Sequence, residues 1–225
     1  MIARDWILDV LTKLELRYWP VFLWQLWWLD RYMTADYAYA VPGKTRLAGH
    51  LATLVPFTEN HGKETAYTNW LRNPEIVKTL NLPSYLRSPI SEDGVRDYYL
   101  NMISSPTDFF FAILLNKNDQ FIGTAKAGQI DFFAGHADIG VMIGEKNLWG
   151  KGIATDGLRA LAKYMFGEIG MRRLTAGVMA NNPSMVRVFK KLGFQQEGCF
   201  REQDRLGDLY IDHIHLGCMK KEFIA

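Results

Sequence analysis

The clearest pattern in the chain is residues 136–143 (HADIGVMI), where Ala137, Ile139, Val141 and Ile143 alternate with His136, Asp138, Gly140 and Met142. A period of two puts one set on each face of a strand, so one face is apolar and the other carries two titratable groups in tandem. Downstream the period changes: Ala154, Leu158, Leu161, Ala162 and Met165 recur at helical spacing and predict a helix from residue 153 to about 166. Residues 174–180 read as a strand. Asn182-Pro183 then opens a second helix, with Asn as its cap and Pro at the first helical position. Met185, Val188, Phe189 and Leu192 form the apolar stripe of that helix, and Gly193 ends it. Two more strands, near 194–202 and 208–219, finish the pattern.

Upstream, residues 46–57 read as a strand ending at Pro56, and 60–73 and 91–104 as helices, the latter opened by Ser91. Residues 109–115 are a continuous apolar run, expected to be a buried strand. Asn116 to Asp119 form a turn, and 120–133 return as another strand. The order is β-α-α-β-β-β-α-β-α-β-β. It specifies an α/β (α+β) domain, a mixed sheet flanked by helices.

Composition changes this picture at one end. A chain of 225 residues with 48% apolar and 22% charged positions is an ordinary globular protein. The net charge of +2, scattered along the chain, predicts no nucleic-acid partner. Cys199 and Cys218 form neither a metal-spaced pair nor a disulfide framework, so no metal is expected and reduced, cytoplasmic thiols are. The first 33 residues, however, hold Trp6, Trp19, Trp24, Trp27 and Trp28. Their apolar run, from Trp19 to Leu29, is too short to span a bilayer, and interspersed charges argue against a secretory signal. We expect a Trp-rich helical extension over 1–44, ending at the Pro42-Gly43 turn, ahead of a domain over 45–225. A helix packed on its own domain or on a second subunit leaves a homodimer open, and an interfacial helix is the alternative.

The loop between the 136–143 strand and the next helix carries the chemistry. Asn147-Leu148-Trp149-Gly150-Lys151-Gly152-Ile153-Ala154 places unpaired backbone N–H groups and the positive end of a helix dipole at one point. Glycines at 150 and 152 let a phosphate approach the backbone. The spacing fits neither a P-loop nor the dinucleotide fingerprint. A ligand-free tight turn is the plain alternative for Gly-x-Gly alone.

The stretch 138–166 resembles the acetyl-CoA-binding segment of the GNAT superfamily, whose pattern is Gln or Arg, two residues, Gly, one residue, Gly or Ala. Asn182-Pro183-Ser184-Met185-Val186-Arg187-Val188-Phe189-Lys190-Lys191-Leu192-Gly193-Phe194 is similar to the second signature of that superfamily, at the expected separation. The resemblance runs from about residue 46 to 223 and is nearest to the branch of ribosomal-protein N-terminal acetyltransferases. It implies the GNAT fold, a mixed, mostly antiparallel sheet of six to seven strands, and acetyl-CoA as cosubstrate. It implies that backbone amides of Leu148, Gly150, Lys151, Gly152, Ile153 and Ala154 hold the pyrophosphate. Met142 and Ile143 would pair with the pantetheine arm, Asn182 would touch that arm, and Lys191 would reach the phosphates. Three positions depart from the superfamily. Asn147 replaces Gln or Arg, Phe189 stands where many members have the Tyr that protonates the leaving thiolate, and Gly177 stands where some have a Glu base.

Acetyl transfer to an amine needs a neutral amine, a stabilised oxyanion and a protonated thiol. With position 177 unable to supply a base, Asp138 and His136 are the first candidates, because they share the polar strand face. Burial would raise an Asp into the useful range, and His begins there. Tyr210, Asp212, His213 and His215 form a second pool: Tyr210 and Asp212 share one strand face and His213 and His215 the other, and either pair could face the acceptor, Asp212 then on the acceptor side and Tyr210 as a substitute acid. His61 and Glu59 line the acceptor side in a further reading. For each residue in these pools a structural role is the alternative. The acceptor is expected to be a small-molecule amine, best the amino group of a nucleotide-linked sugar. A protein N-terminus, a polyamine, or a non-catalytic acyl-CoA-binding role remain open.

Overall fold

A computed structural model describes residues 45–80 and 90–225; the Trp-rich segment expected as a helical extension lies outside the described residues. Among the described residues, eight strands form one sheet in the order β1-β2-β3-β4-β5-β6-β8-β7. They are β1 (Leu47–Ala48), β2 (Ala52–Pro56), β3 (Phe109–Leu115), β4 (Gln120–Asp131), β5 (His136–Ile143), β6 (Arg173–Met179), β7 (Gln195–Leu206) and β8 (Leu209–Met219). Only β5 and β6 are parallel neighbours, because the helix that joins them, α5 (Ile153–Gly167), returns the chain to the starting edge. The remaining α-helices among the described residues are α1 (Glu59–Lys63), α2 (Thr65–Arg72), α3 (Pro74–Val77), α4 (Glu92–Ser104) and α6 (Pro183–Lys191).

Two expectations need correction. The expected strand over 46–57 is two strands, which raises the count from six or seven to eight. The chain reverses at Gly49–Leu51, where the Asp156 carboxylate accepts from the N–H groups of His50, Leu51 and Ala52 at 3.0, 2.8 and 3.1 Å. A Cβ on Gly49 would lie 2.3 Å from that carboxylate, so the reversal needs glycine there. The expected helix over 60–73 breaks at Glu64, which is extended (φ −66, ψ 126). Residues on either side are held by different contacts. Gly62 lies against the Tyr99 ring, 2.4 Å from where its Cβ would be, while Tyr67, Trp70 and Leu71 bury a separate face of α2.

The sheet carries a core on each side. Leu158, Leu161 and Met165 of α5, Phe189 of α6 and Leu192 just after it pack with Phe111, Ile113, Ile139, Leu174 and Leu216 of the strands. On the opposite side, Phe57, Tyr67, Trp70, Val95 and Tyr99 pack with Phe110, Phe121 and Met142. That second core covers β3, β4 and the end of β5. Asp138 of β5, Thr175 of β6 and His213 and His215 of β8 share its side of the sheet.

Candidate active site

β5 and β6 are neighbours at one end only. Their register holds for His136, Ala137 and Asp138 against Arg173, Leu174 and Thr175, and stops there although both strands continue. Beyond Asp138 the two strands leave a wedge in the sheet. The backbone that faces this wedge follows from alternation. Gly144 N–H donates to the Ile122 carbonyl at 2.9 Å in the same register that pairs Ile143 with Gly123 and Met142 with Thr124. Antiparallel pairs alternate between bonded and non-bonded, so Met142 turns its own N–H and C=O to β4, and Ile139, Val141 and Ile143 turn theirs to the wedge. Of the two residues expected to pair with a cofactor arm, Ile143 offers its backbone to the wedge and Met142 does not. Val141 takes the place of Met142 in this respect. The Ile143 carbonyl accepts from the Trp149 indole N–H at 2.8 Å.

The loop that follows is held by a second indole. Trp70 Nε1 donates to Glu145 at 3.2 Å, and a Cβ on Gly144 would lie 2.0 Å from the Trp70 ring. After a short 3-10 turn over Lys146–Leu148, Gly150 and Gly152 take φ of +75° and +85°. An L side chain is strained in that region. The glycines are therefore required by backbone shape. Gly152 is the N-cap of α5, and no side chain caps that end. The one acid in the first turn, Asp156, is buried and directed to the β1–β2 reversal instead. Gly150, Lys151 and Gly152 are exposed, with Ile153 buried and Ala154 and Leu148 half-buried beside them. An N-terminus with exposed glycines and no side-chain cap suits a phosphate group.

On the polar side of the sheet, Asp138 accepts from Thr175 Oγ1 at 3.2 Å. Burial raises its carboxyl to about 6, against the opposing pull of Lys126, the Thr175 hydroxyl and His213. Some of its surface remains exposed, yet enough protein surrounds the group to desolvate the charge. His213 of β8 is on the same face: it pairs with Met179, two residues along β6 from Gly177. Its Nδ1 lies 2.6 Å from Asp204 Oδ2, and both residues are buried. The Asp204 partner is absent from the sequence reading, and the pairing has no local signal. β7 bulges between Phe200 and Asp204, so simple alternation does not place residue 204.

Other expected site residues lie elsewhere. His136 shares the Asp138 face at the paired, outer end of β5, with Nε2 3.9 Å from Asp131. Tyr210 is 61% exposed near the β7–β8 turn, with Arg205 5.9 Å from its ring. Alternation along β8 puts it on the face opposite His213, so it does not join Asp138 as the acid. Asp212 is on that opposite face too, accepting from the Glu202 N–H at 2.8 Å across the bulge. His61 accepts from the Thr58 N–H at 3.1 Å and packs between Phe57 and Phe121, with ring centroids 5.4 and 5.2 Å away. Burial lowers its pKa. It caps α1, and its contacts are those of a core residue.

Asn182 caps α6, its side chain accepting from the Met185 N–H at 3.2 Å. Lys191 is exposed at the other end of the same helix, about 13–14 Å away at 1.5 Å per residue. Phe189 is buried against Phe194, as its apolar stripe predicts.

The model for the acetyltransferase (GNAT) domain matches residues 52–195, a span that includes the wedge, the glycine loop and α6. The chain belongs to the GNAT family. It is an acetyl-CoA-dependent N-acetyltransferase, with the fold and cosubstrate that the two motifs imply. The uncharacterized N-acetyltransferase p20 from Bacillus licheniformis is 28% identical over 67% of this chain and 84% of its own length. A ribosomal-protein-serine acetyltransferase from Escherichia coli (strain K12) is 26% identical over 68% of this chain and 84% of its own. Among solved structures, a spermidine N-acetyltransferase from Vibrio cholerae, in complex with CoA and spermine, superposes with a TM-score of 0.67. It is 19% identical and covers 76% of this chain and 97% of that one, which shows the shared fold. The GNAT wedge and uncapped α5 fit the group: a strand edge for an amide-bearing arm and a donor cluster for its phosphates.

Proposed function

We propose that this GNAT enzyme acetylates a primary amine held against Asp138, with the pyrophosphate of acetyl-CoA on the loop from Leu148 to Ala154. Val141 and Ile143 meet the amide-bearing arm along the wedge. The observation that carries the reading is a carboxylate poised at about 6 at the point where β5 and β6 separate. A carboxylate there accepts a proton from an alkylammonium group near neutral pH, which a carboxyl at its ordinary value does far less well. The preferred acceptor is the amino group of a nucleotide-linked sugar. Lys126, close enough to act on the Asp138 charge, disfavours a polycation beside it and suits a substrate that carries phosphate. A protein N-terminus is the second reading, favoured by the 26% identity to the ribosomal-protein-serine acetyltransferase.

The test is release of free thiol from acetyl-CoA against amino-sugar nucleotides, N-terminal peptides and polyamines. Turnover confined to sugar nucleotides is expected, rising with pH through about 6 and flat above. Asp138→Asn should reduce it by about 10²–10⁴-fold, the usual range for a general base, with acetyl-CoA affinity unchanged. Turnover of peptides alone would move the assignment to the second reading. An unaffected variant would remove Asp138 from the chemistry.

A further inference from the structure

The amine nitrogen must lose two protons on its way from ammonium to amide, and Asp138 accounts for one. We propose that His213, held by Asp204, takes the other and delivers it to the departing thiol, a role that rests on the acetyl-transfer reading above. Three observations converge on this residue. The carboxylate of Asp204 can only accept, so the Nδ1 atom 2.6 Å away carries the hydrogen, and it is Nε2 that gains or loses a proton. Nε2 is directed at Gly177: a Cβ built there would lie 2.3 Å from it. The imidazole thus reaches, from the neighbouring strand, the place where a side chain at position 177 would begin. Finally, Gly177 follows Thr175 on the same face of β6, beyond the last residue paired to β5. It lies about 7 Å along the strand from the partner of Asp138. Asp138 marks the apex of the wedge, and His213 stands over the β6 wall on the same face of the sheet.

The proton balance is closed. Asp138 takes the first proton from the ammonium group. As the C–N bond forms, His213 Nε2 takes the second. When the C–S bond breaks, the sulfur receives that proton from the imidazolium, and the ring returns to its starting tautomer. Asp138 releases its proton to water. His213 thereby replaces the acid that Phe189, buried in the α6 core, cannot be. Asp204 is a positioning residue. The titratable neighbours of the ring are His215 on β8, with ring centroid 4.9 Å away, and Asp138 on β5, on whose charge His213 acts; Lys126 on β4 acts on Asp138 in turn, and Glu197 on β7, paired with Arg173 of β6, acts on His215.

Two measurements decide it. Nitrogen-15 NMR of the free protein, which needs no acceptor, should show neutral His213 protonated on Nδ1. A neutral ring protonated on Nε2 would overturn the proposal. In steady-state kinetics His213→Gln should lower kcat by about 10²–10⁴-fold with acetyl-CoA affinity retained, and a rate equal to wild type would overturn it. Asp204→Asn keeps the shape while replacing a group that only accepts with one that also donates. The nitrogen-15 spectrum should then show more of the Nε2-protonated ring, with a lower kcat, and an unchanged tautomer with wild-type kcat would leave Asp204 a purely structural partner and the assignment wrong. Gly177→Ala, whose methyl group must displace Nε2, should reproduce the loss if His213→Gln fails to fold. Failure of the wild-type enzyme to turn over any amine would instead count against the acetyl-transfer reading, while the tautomer remains measurable.

Discussion

The two faces of β5, β6 and β8 are built from the same backbone and put to opposite uses. On one, Ala137, Ile139, Leu174, Ala176, Leu216 and Cys218 are buried against α5 and α6. On the other, Asp138, Thr175, Gly177 and His213 crowd polar groups into a partly dry space. Burial stabilises the first face and raises the free energy of the second, where a charge sits away from water. Such a carboxylate is tolerated where chemistry requires it, because its displaced pKa is the useful property.

The contrast breaks most sharply in stability measurements on the two faces. Leu161 is fully buried, and Leu161→Ala should cost about 2–5 kcal/mol, read as a lower urea midpoint, with turnover per folded molecule unchanged. Asp138→Asn should do the reverse. Its carboxyl holds a proton more tightly in the folded protein (about 6 against 3.8 unfolded), so stability is highest below 3.8 and falls as pH rises towards 6. The full difference corresponds to about 3 kcal/mol and, discounted for remaining exposure, to about 1–2. The variant should therefore be more stable than wild type by about 1–2 kcal/mol at pH 8, with the gain vanishing near pH 4. A variant that is destabilised at pH 8 would make Asp138 a structural partner of Thr175.

Much of this architecture was legible in the sequence, and the failures share a cause. The alternation of residues 136–143, the helix from Ile153 and the Asn-Pro start of α6 all rest on neighbours in sequence, and all match the observed elements. The reversal at Gly49 depends on Asp156, more than a hundred residues away. The wedge depends on two strands separated by a helix, and the Asp204–His213 pair on a bulge that breaks alternation. Alternation along β8 separates Tyr210 and Asp212 from His213 and His215, but which pair shares the Asp138 face follows only from how β8 pairs with β6.

The glycine loop is the next largest effect. Gly152→Ala forces an L residue to φ +85°, which costs about 1–2 kcal/mol unless the turn relaxes. Either response disturbs the N–H groups at the start of α5, so acetyl-CoA affinity should fall about 5–30-fold at 1.4 kcal/mol per decade, measured by calorimetry. Unchanged affinity would mean the phosphates are bound elsewhere.

The smallest effect separates the two helix N-termini. α5 opens without a side-chain cap, whereas α6 has Asn182 on the Met185 N–H and Pro183 at its first position. A terminus that already satisfies its own donors has less to offer an anion. Asn182→Ala should therefore lower stability by about 1 kcal/mol and change acetyl-CoA affinity less than Gly152→Ala does. Thermal unfolding and calorimetry on the two variants check both parts. If Asn182→Ala weakens acetyl-CoA binding as much as the glycine substitution, the amide reaches the cofactor arm as the resemblance implies. The capped end of α6 would then belong to the site as fully as the open end of α5.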